Sequence, residues 1–227
     1  MMGTGTSIDR ELVRARVAES YVAANSDVRH VAAIAPLRLL VAARPLTWRE
    51  VPGLTTRTSA IVLQQLIGRS VESETGPDAP LSGRLYASAS GGYILINAGD
   101  PLPRRRYTVA HELGHYVLHV LPALDRGETR FDEVLPVEEQ GAGSDPGLGR
   151  RHLNELASGA LAEEQADLFA AELLMPAATC AALVQRYADL CGGNRQVLAR
   201  RLATECLVSE PAMKRRLAEL QLPEDAT

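Results

Sequence analysis

Aromatic residues are scarce in this chain: two Phe, one Trp and six Tyr among 227 residues. Its core must therefore be aliphatic and Ala-rich rather than built on rings. Cysteine is just as sparse. Cys180, Cys191 and Cys206 are odd in number and show no CxxC spacing, so they read as reduced packing thiols in a cytoplasmic protein and not as a disulfide framework. No uninterrupted apolar stretch approaches the roughly 18 residues of a membrane span, so no membrane association is expected. The opening Met-Met-Gly-Thr-Gly-Thr-Ser has neither a basic n-region nor an apolar h-region, and no signal peptide is expected. A net charge of −4 offers no general polyanion-binding surface. What is present, 46% hydrophobic and 23% charged residues, is ordinary for a globular protein long enough to bury one sizeable core.

Against that plain background, residues 111–115 read His111-Glu112-Leu113-Gly114-His115, an HExxH string. Two His four apart on a helix lie one above the other, so both imidazoles can reach one metal ion. Glu112 lies about 100° round the helix, where it can serve a metal-bound water without ligating the metal itself. Val109, Leu113, Tyr116, Val117 and Val120 recur at helical spacing. Asp100-Pro101 offers a start with an N-cap, and Pro122 is expected to end the run. Gly114 costs roughly 1 kcal/mol against Ala, which suggests that something approaches it closely.

A catalytic Zn²⁺ wants three protein ligands and an open position. The strongly helical stretch from Leu161 to Pro176 supplies the third. Glu163, Ala166, Asp167 and Ala170 share one face. The two Ala allow close packing on the first helix, Glu163 can reach the metal, and Asp167 can accept the free N–H of a ligating imidazole. Glu164 is the rival ligand, because register is not fixed by sequence. His119 follows the two motif histidines by one further turn. It reads as a supporting or surface group, since a fourth ligand would close the site.

Two stretches resemble the ImmA/IrrE metallopeptidases. They are Arg105-Arg-Tyr-Thr-Val-Ala-His-Glu-Leu-Gly-His-Tyr-Val-Leu-His119 and the more specific Glu163-Glu-Gln-Ala-Asp-Leu-Phe-Ala-Ala-Glu-Leu-Leu-Met-Pro176. Leu81 to Tyr86 and Gly92 to Asn97 fit the strands before that family's active-site helix. The resemblance covers roughly residues 81–220. It implies a gluzincin-like site with His111, His115 and Glu163 as metal ligands and Glu112 as catalytic glutamate. The family often carries Asn where this chain has Asp167. Its known members inactivate a helix-turn-helix repressor in bacterial cells, which releases stress-response or mobile-element genes.

The expected fold is α+β and mostly helical. A zincin-like catalytic core has a small antiparallel sheet before its active-site helix, flanked by N- and C-terminal helical parts. The expected boundaries are 1–75 for an N-terminal helical region, 76–176 for the metallopeptidase core and 177–222 for a C-terminal helical region. Residues 8–24 read as a helix with Thr6 and Asp9 as a capping pair, and Thr47 with Glu50 suggests another capping box. Thr58 to Arg69 reads as a helix ending near Gly68. Arg84 to Ala89 and Tyr93 to Asn97 read as a hairpin whose edge can take a substrate peptide. Residues 122–150 hold seven acids against three bases and carry Gly141, Gly143, Gly147 and Gly149, which suggests a flexible acidic insert. From Asn194 to Leu220, six bases face three acids across a helix-turn-helix-like turn; core packing explains that segment better than direct nucleic-acid binding.

The function expected from this reading is zinc-dependent peptide hydrolysis of a protein substrate, with a repressor as the substrate the resemblance implies and Mn²⁺ as an alternative ion. Oxyanion donors to choose among are Tyr107, Tyr116, His119 and His152. The rival readings are a non-catalytic metal-binding regulator and a transcription factor using the C-terminal helices.

Overall fold

Asp9 opens the first helix, α1 (Arg10–Ala23): its carboxylate accepts the Leu12 backbone N–H at 2.9 Å. The structure, a computed structural model, describes residues 8–25, 34–68, 77–127, 130–134 and 159–222. Thr6 lies outside them. After the short α2 (Leu37–Ala42) comes a strand, β1 (Leu46–Val51), then α3 (Thr56–Ile67). Helix α3 starts at a reciprocal pair: Thr58 N–H donates to Thr55 Oγ1 at 3.1 Å, and Thr55 N–H to Thr58 Oγ1 at 2.7 Å. It ends at Gly68, whose φ of 73° is the left-handed cap that glycine adopts without penalty.

The hairpin follows as β2 (Gly83–Ser88) and β3 (Gly91–Asn97). Helix α4 (Leu102–His115) carries the HExxH string and runs through a π-helical turn (Tyr116–Val120) into α5 (Leu121–Asp125). Strand β4 (Arg130–Val134), α6 (Gly159–Leu174), α7 (Ala177–Tyr187), a 3-10 turn (Asp189–Cys191), α8 (Arg195–Cys206) and α9 (Glu210–Glu219) complete the described elements. This is the mostly helical α+β architecture expected.

The sheet differs from expectation. It has four strands in the order β1-β3-β2-β4, and it is mixed: β1 lies parallel to β3, while β2 pairs antiparallel with both β3 and β4. Thr47 and Glu50 therefore sit in a strand and cap no helix. The Thr-x-x-Glu spacing is a local signal, but pairing Leu46–Val51 with Gly92–Asn97 bonds the side of the strand that faces β3 along its whole length. Within the acidic stretch 122–150, Leu121–Asp125 is helical and Arg130–Val134 pairs with β2; residues 135–150 lie outside the described ones.

Alternation along β2 and β3 sorts side chains to two faces. Leu85, Ala87, Ile94 and Ile96 join the main core, which runs from Val13 of α1 to Leu217 of α9. Tyr86 and Leu95 join Leu54, Leu63 and Leu81 in a smaller core beneath α3. Helix α4 covers the main face, and α6 packs along α4.

Pro122 does not end the helical run. The Leu121 N–H reaches back five residues to the Tyr116 carbonyl, and the chain stays helical to Asp125. A proline has no N–H and its ring crowds the carbonyl four residues back. The wider π turn just before Pro122 relieves that conflict, and such turns are frequent at functional sites. Nor does Asp100 cap α4: Pro101 occupies the cap position without a side-chain bond, and Asp100 pairs with Arg104 at 3.5 Å.

Candidate metal centre

Helices α4 and α6 approach closely because small residues face each other. A Cβ placed on Gly114 would lie 3.1 Å from Phe169 Cβ and Cδ1 and 3.2 Å from Ala166 Cα. Ala166 and Ala170 are fully buried at the crossing. The expected close approach at Gly114 is therefore met by α6.

That crossing brings together one metal-capable set: a ring nitrogen each from His111 and His115 and a carboxylate oxygen from Glu163, all within 4.8 Å of one another. The two Nε2 atoms are 2.8 Å apart, and Glu163 Oε2 and Oε1 lie 3.3 and 3.6 Å from those of His111 and His115. Glu164, the rival ligand, is exposed and outside this group. Asp167 stands where the sequence predicts. Its Oδ1 is 2.9 Å from His111 Nδ1 and accepts a hydrogen bond from the Tyr107 hydroxyl at 2.6 Å. Because Asp167 engages His111 Nδ1, His111 Nε2 is left to face His115 and Glu163.

Two Nε2 atoms and a carboxylate turned inward at such short range suit a cation held in common. The protonation pattern says the same. Burial disfavours charge on His111, yet hydrogen bonds to Asp167 and Glu163 outweigh it and raise its pKa to about 10. The same histidines hold Glu163 well below the usual carboxylate range despite its burial. Burial lowers His115, which stays neutral. In effect a proton on His111 occupies the place of positive charge.

Glu112 is the second anomaly. It is fully buried, and among the described residues neither carboxylate oxygen has a hydrogen-bond partner. Burial raises its pKa to about 8, opposed by the charge of His111. An ionisable group without a partner in such a place is costly and points to a reaction partner supplied from outside. Its room is made by β2: a Cβ on Gly83 would meet Glu112 Oε1 at 2.8 Å and Thr108 Cγ2 at 2.4 Å. Arg84, the next residue on β2, is buried on the side of α3, where it donates to Ser59 at 2.8 Å, and its positive charge lowers the Glu112 pKa. Sequence reasoning singled out neither Gly83 nor Arg84. A glycine at the first position of a strand was the available signal for the former.

Of the oxyanion candidates, Tyr107 has its proton committed to Asp167. Tyr116 is fully buried in the main core. His119 is buried beside His115, ring centroids 5.5 Å apart, and burial lowers its pKa to about 4. It is a neutral neighbour of the site and no member of the ligand group. His152 lies outside the described residues.

The C-terminal bases are largely engaged. Arg200 and Lys214 pair with Glu210, and Arg201 with Glu205. Arg216 is buried against Glu172. Among the described residues, no single helix is long and apolar enough to cross a membrane.

Residues 68–140 match the family model Peptidase_M78, the IrrE N-terminal-like domain, in agreement with the resemblance to ImmA/IrrE metallopeptidases. The matched stretch is about a third of the chain. It includes His111, Glu112 and His115 and stops before Glu163. Compared with curated proteins, the chain has no match.

Proposed function

We propose that this protein is a zinc-dependent metallopeptidase that hydrolyses a peptide bond in a protein substrate. The observation that carries the reading is a three-ligand cluster from two helices beside a buried carboxylate with no hydrogen-bond partner among the described residues. His111, His115 and Glu163 hold the ion, and two imidazoles with one carboxylate are a donor set that catalytic zinc takes. Zinc bound there supplies Lewis acidity, which polarises a carbonyl and makes water nucleophilic near neutral pH.

The remaining work falls to the protein's own groups. Asp167 holds the His111 tautomer that turns Nε2 inward. Glu112 accepts a proton from the attacking water on a carboxylate oxygen and delivers it to the departing amine nitrogen. Burial raises the Glu112 pKa in the metal-free protein, and the charge of an ion held beside it would favour the carboxylate form that accepts the proton. The family resemblance supports a helix-turn-helix repressor as substrate and a cytoplasmic stress or mobile-element response as setting.

Glu112→Gln tests the reading. The protein and the variant are incubated with a helix-turn-helix repressor encoded beside the gene. Products are read by mass spectrometry and bound metal by elemental analysis. The wild type is expected to cut, and the variant to keep its zinc and lose cleavage by at least about a hundredfold. A variant that still relieves repression overturns hydrolysis in favour of a non-catalytic metal-binding regulator.

A further inference from the structure

Asp167 is an unusual support for a metal ligand, because its side chain is 54% exposed. A carboxylate that open to water can turn away from His111 and satisfy itself in solvent. Yet its Oδ1 accepts two protons at once, from His111 Nδ1 at 2.9 Å and from the Tyr107 hydroxyl at 2.6 Å. The second distance is that of a charge-assisted O–H···O⁻ bond.

The placement of Tyr107 is not incidental. It stands one helical turn before His111 on α4, so both residues project from the same face. Their rings lie 6.3 Å apart. Asp167 comes from α6, one turn after Glu163. The three side chains thus form a triangle across the helix crossing, with the ring of a metal ligand as one corner. Tyr107 is half-buried, and burial together with the Asp167 charge raises its pKa, so its hydroxyl keeps the proton it donates.

Building on the metal site proposed above, we infer that Tyr107 is a positioning residue for metal binding: its hydroxyl pins the exposed Asp167 carboxylate in the orientation that holds the His111 ring. It acts only through Asp167. The same bond excludes it as an oxyanion donor, since its one proton is already given.

That dependence makes the inference testable by a double-mutant cycle read in zinc affinity. Wild type, Tyr107→Phe, Asp167→Ala and the double variant are titrated with zinc against a chromophoric chelator, at one pH and matched thermal stability. Tyr107→Phe is expected to raise the zinc dissociation constant about tenfold, at the lower edge of what groups behind a ligating imidazole contribute. Asp167→Ala is expected to cost about as much or more, and the double variant to match Asp167→Ala within about twofold. Asp167→Asn, whose amide oxygen still accepts both protons, should retain most of the affinity. A Tyr107→Phe protein within about twofold of wild type overturns the inference, as do losses that multiply in the double variant. A wild type that takes up no zinc overturns the metal site itself, so the two failures are distinct.

Discussion

Replacing Gly114 with Ala sets two ordinary rules against each other. Helix propensity alone predicts a gain of about 1 kcal/mol for Gly→Ala inside α4. The new methyl, however, would meet Phe169 Cβ and Cδ1 at 3.1 Å and Ala166 Cα at 3.2 Å. Carbon contacts are comfortable at about 3.5–4.0 Å, so α6 must retreat by about half an ångström. Such overpacking costs about 1–3 kcal/mol, which leaves the metal-free variant unchanged to about 2 kcal/mol less stable. The larger effect falls on the site. Ala166 and Phe169 sit on the helix that carries Glu163 and Asp167. The 2.9 Å bond between Asp167 and His111 would stretch to about 3.4 Å, beyond useful N–H···O range. Glu163 would withdraw by a similar amount, more than twice the tolerance of about 0.2 Å on a metal–ligand distance. Zinc affinity should therefore fall at least about tenfold while the fold persists. Denaturant unfolding of the metal-free protein and a chelator competition measure the two quantities. A variant that is about 1 kcal/mol more stable and binds zinc as the wild type does would refute the argument that this crossing sets the ligand geometry.

Two further outcomes follow from buried charge. Glu112 has a folded pKa of about 8 against an ordinary 4.5, so the folded metal-free protein holds a proton that the unfolded chain releases. Stability contributed by this group is present below about pH 4.5 and lost as pH rises to about 8; Glu112→Gln should make the metal-free protein about 3 kcal/mol more stable at pH 7 and flatten that slope, and equal melting curves across pH would contradict it. Arg216→Met strips Glu172 of its closest buried partner, 2.6 Å away, while leaving Arg14 at 3.0 Å; a loss of roughly 3 kcal/mol in denaturant unfolding is expected, most of it recovered by adding Glu172→Leu, and a single variant as stable as wild type would contradict it.

Much of the local structure was readable because its causes are local. The helical run of α1, the glycine stop of α3 at Gly68, the hairpin and the helices bearing His111 and Glu163 each follow from turns or periodicity over a few residues, whereas the cap of α1 is Asp9, which the Thr6–Asp9 spacing places one turn inside the helix. The meeting of His111, His115 and Glu163 was readable for a different reason: the small face Ala166–Ala170 and Gly114 point to one close crossing. What escaped depends on distant partners. Strand β1 exists because β3 offers it a parallel edge, and Leu46–Val51 alone reads equally well as a helix start. Pro122 looks like a stop unless the turn before it widens. Gly83 becomes meaningful only once β2 is seen to lie against Glu112, and the Tyr107 bond only once Asp167 faces it.

The helix that brings Glu163 is secured by remote parts of the chain. Arg14 near one end and Arg216 near the other converge on Glu172, and Tyr21 donates to the Leu173 carbonyl at 2.9 Å. During synthesis the HExxH string emerges about a hundred residues before Arg216 does. A chain lacking α9 would keep His111 and His115 on α4 but leave Glu172, on the helix that carries Glu163, without its closest buried cation.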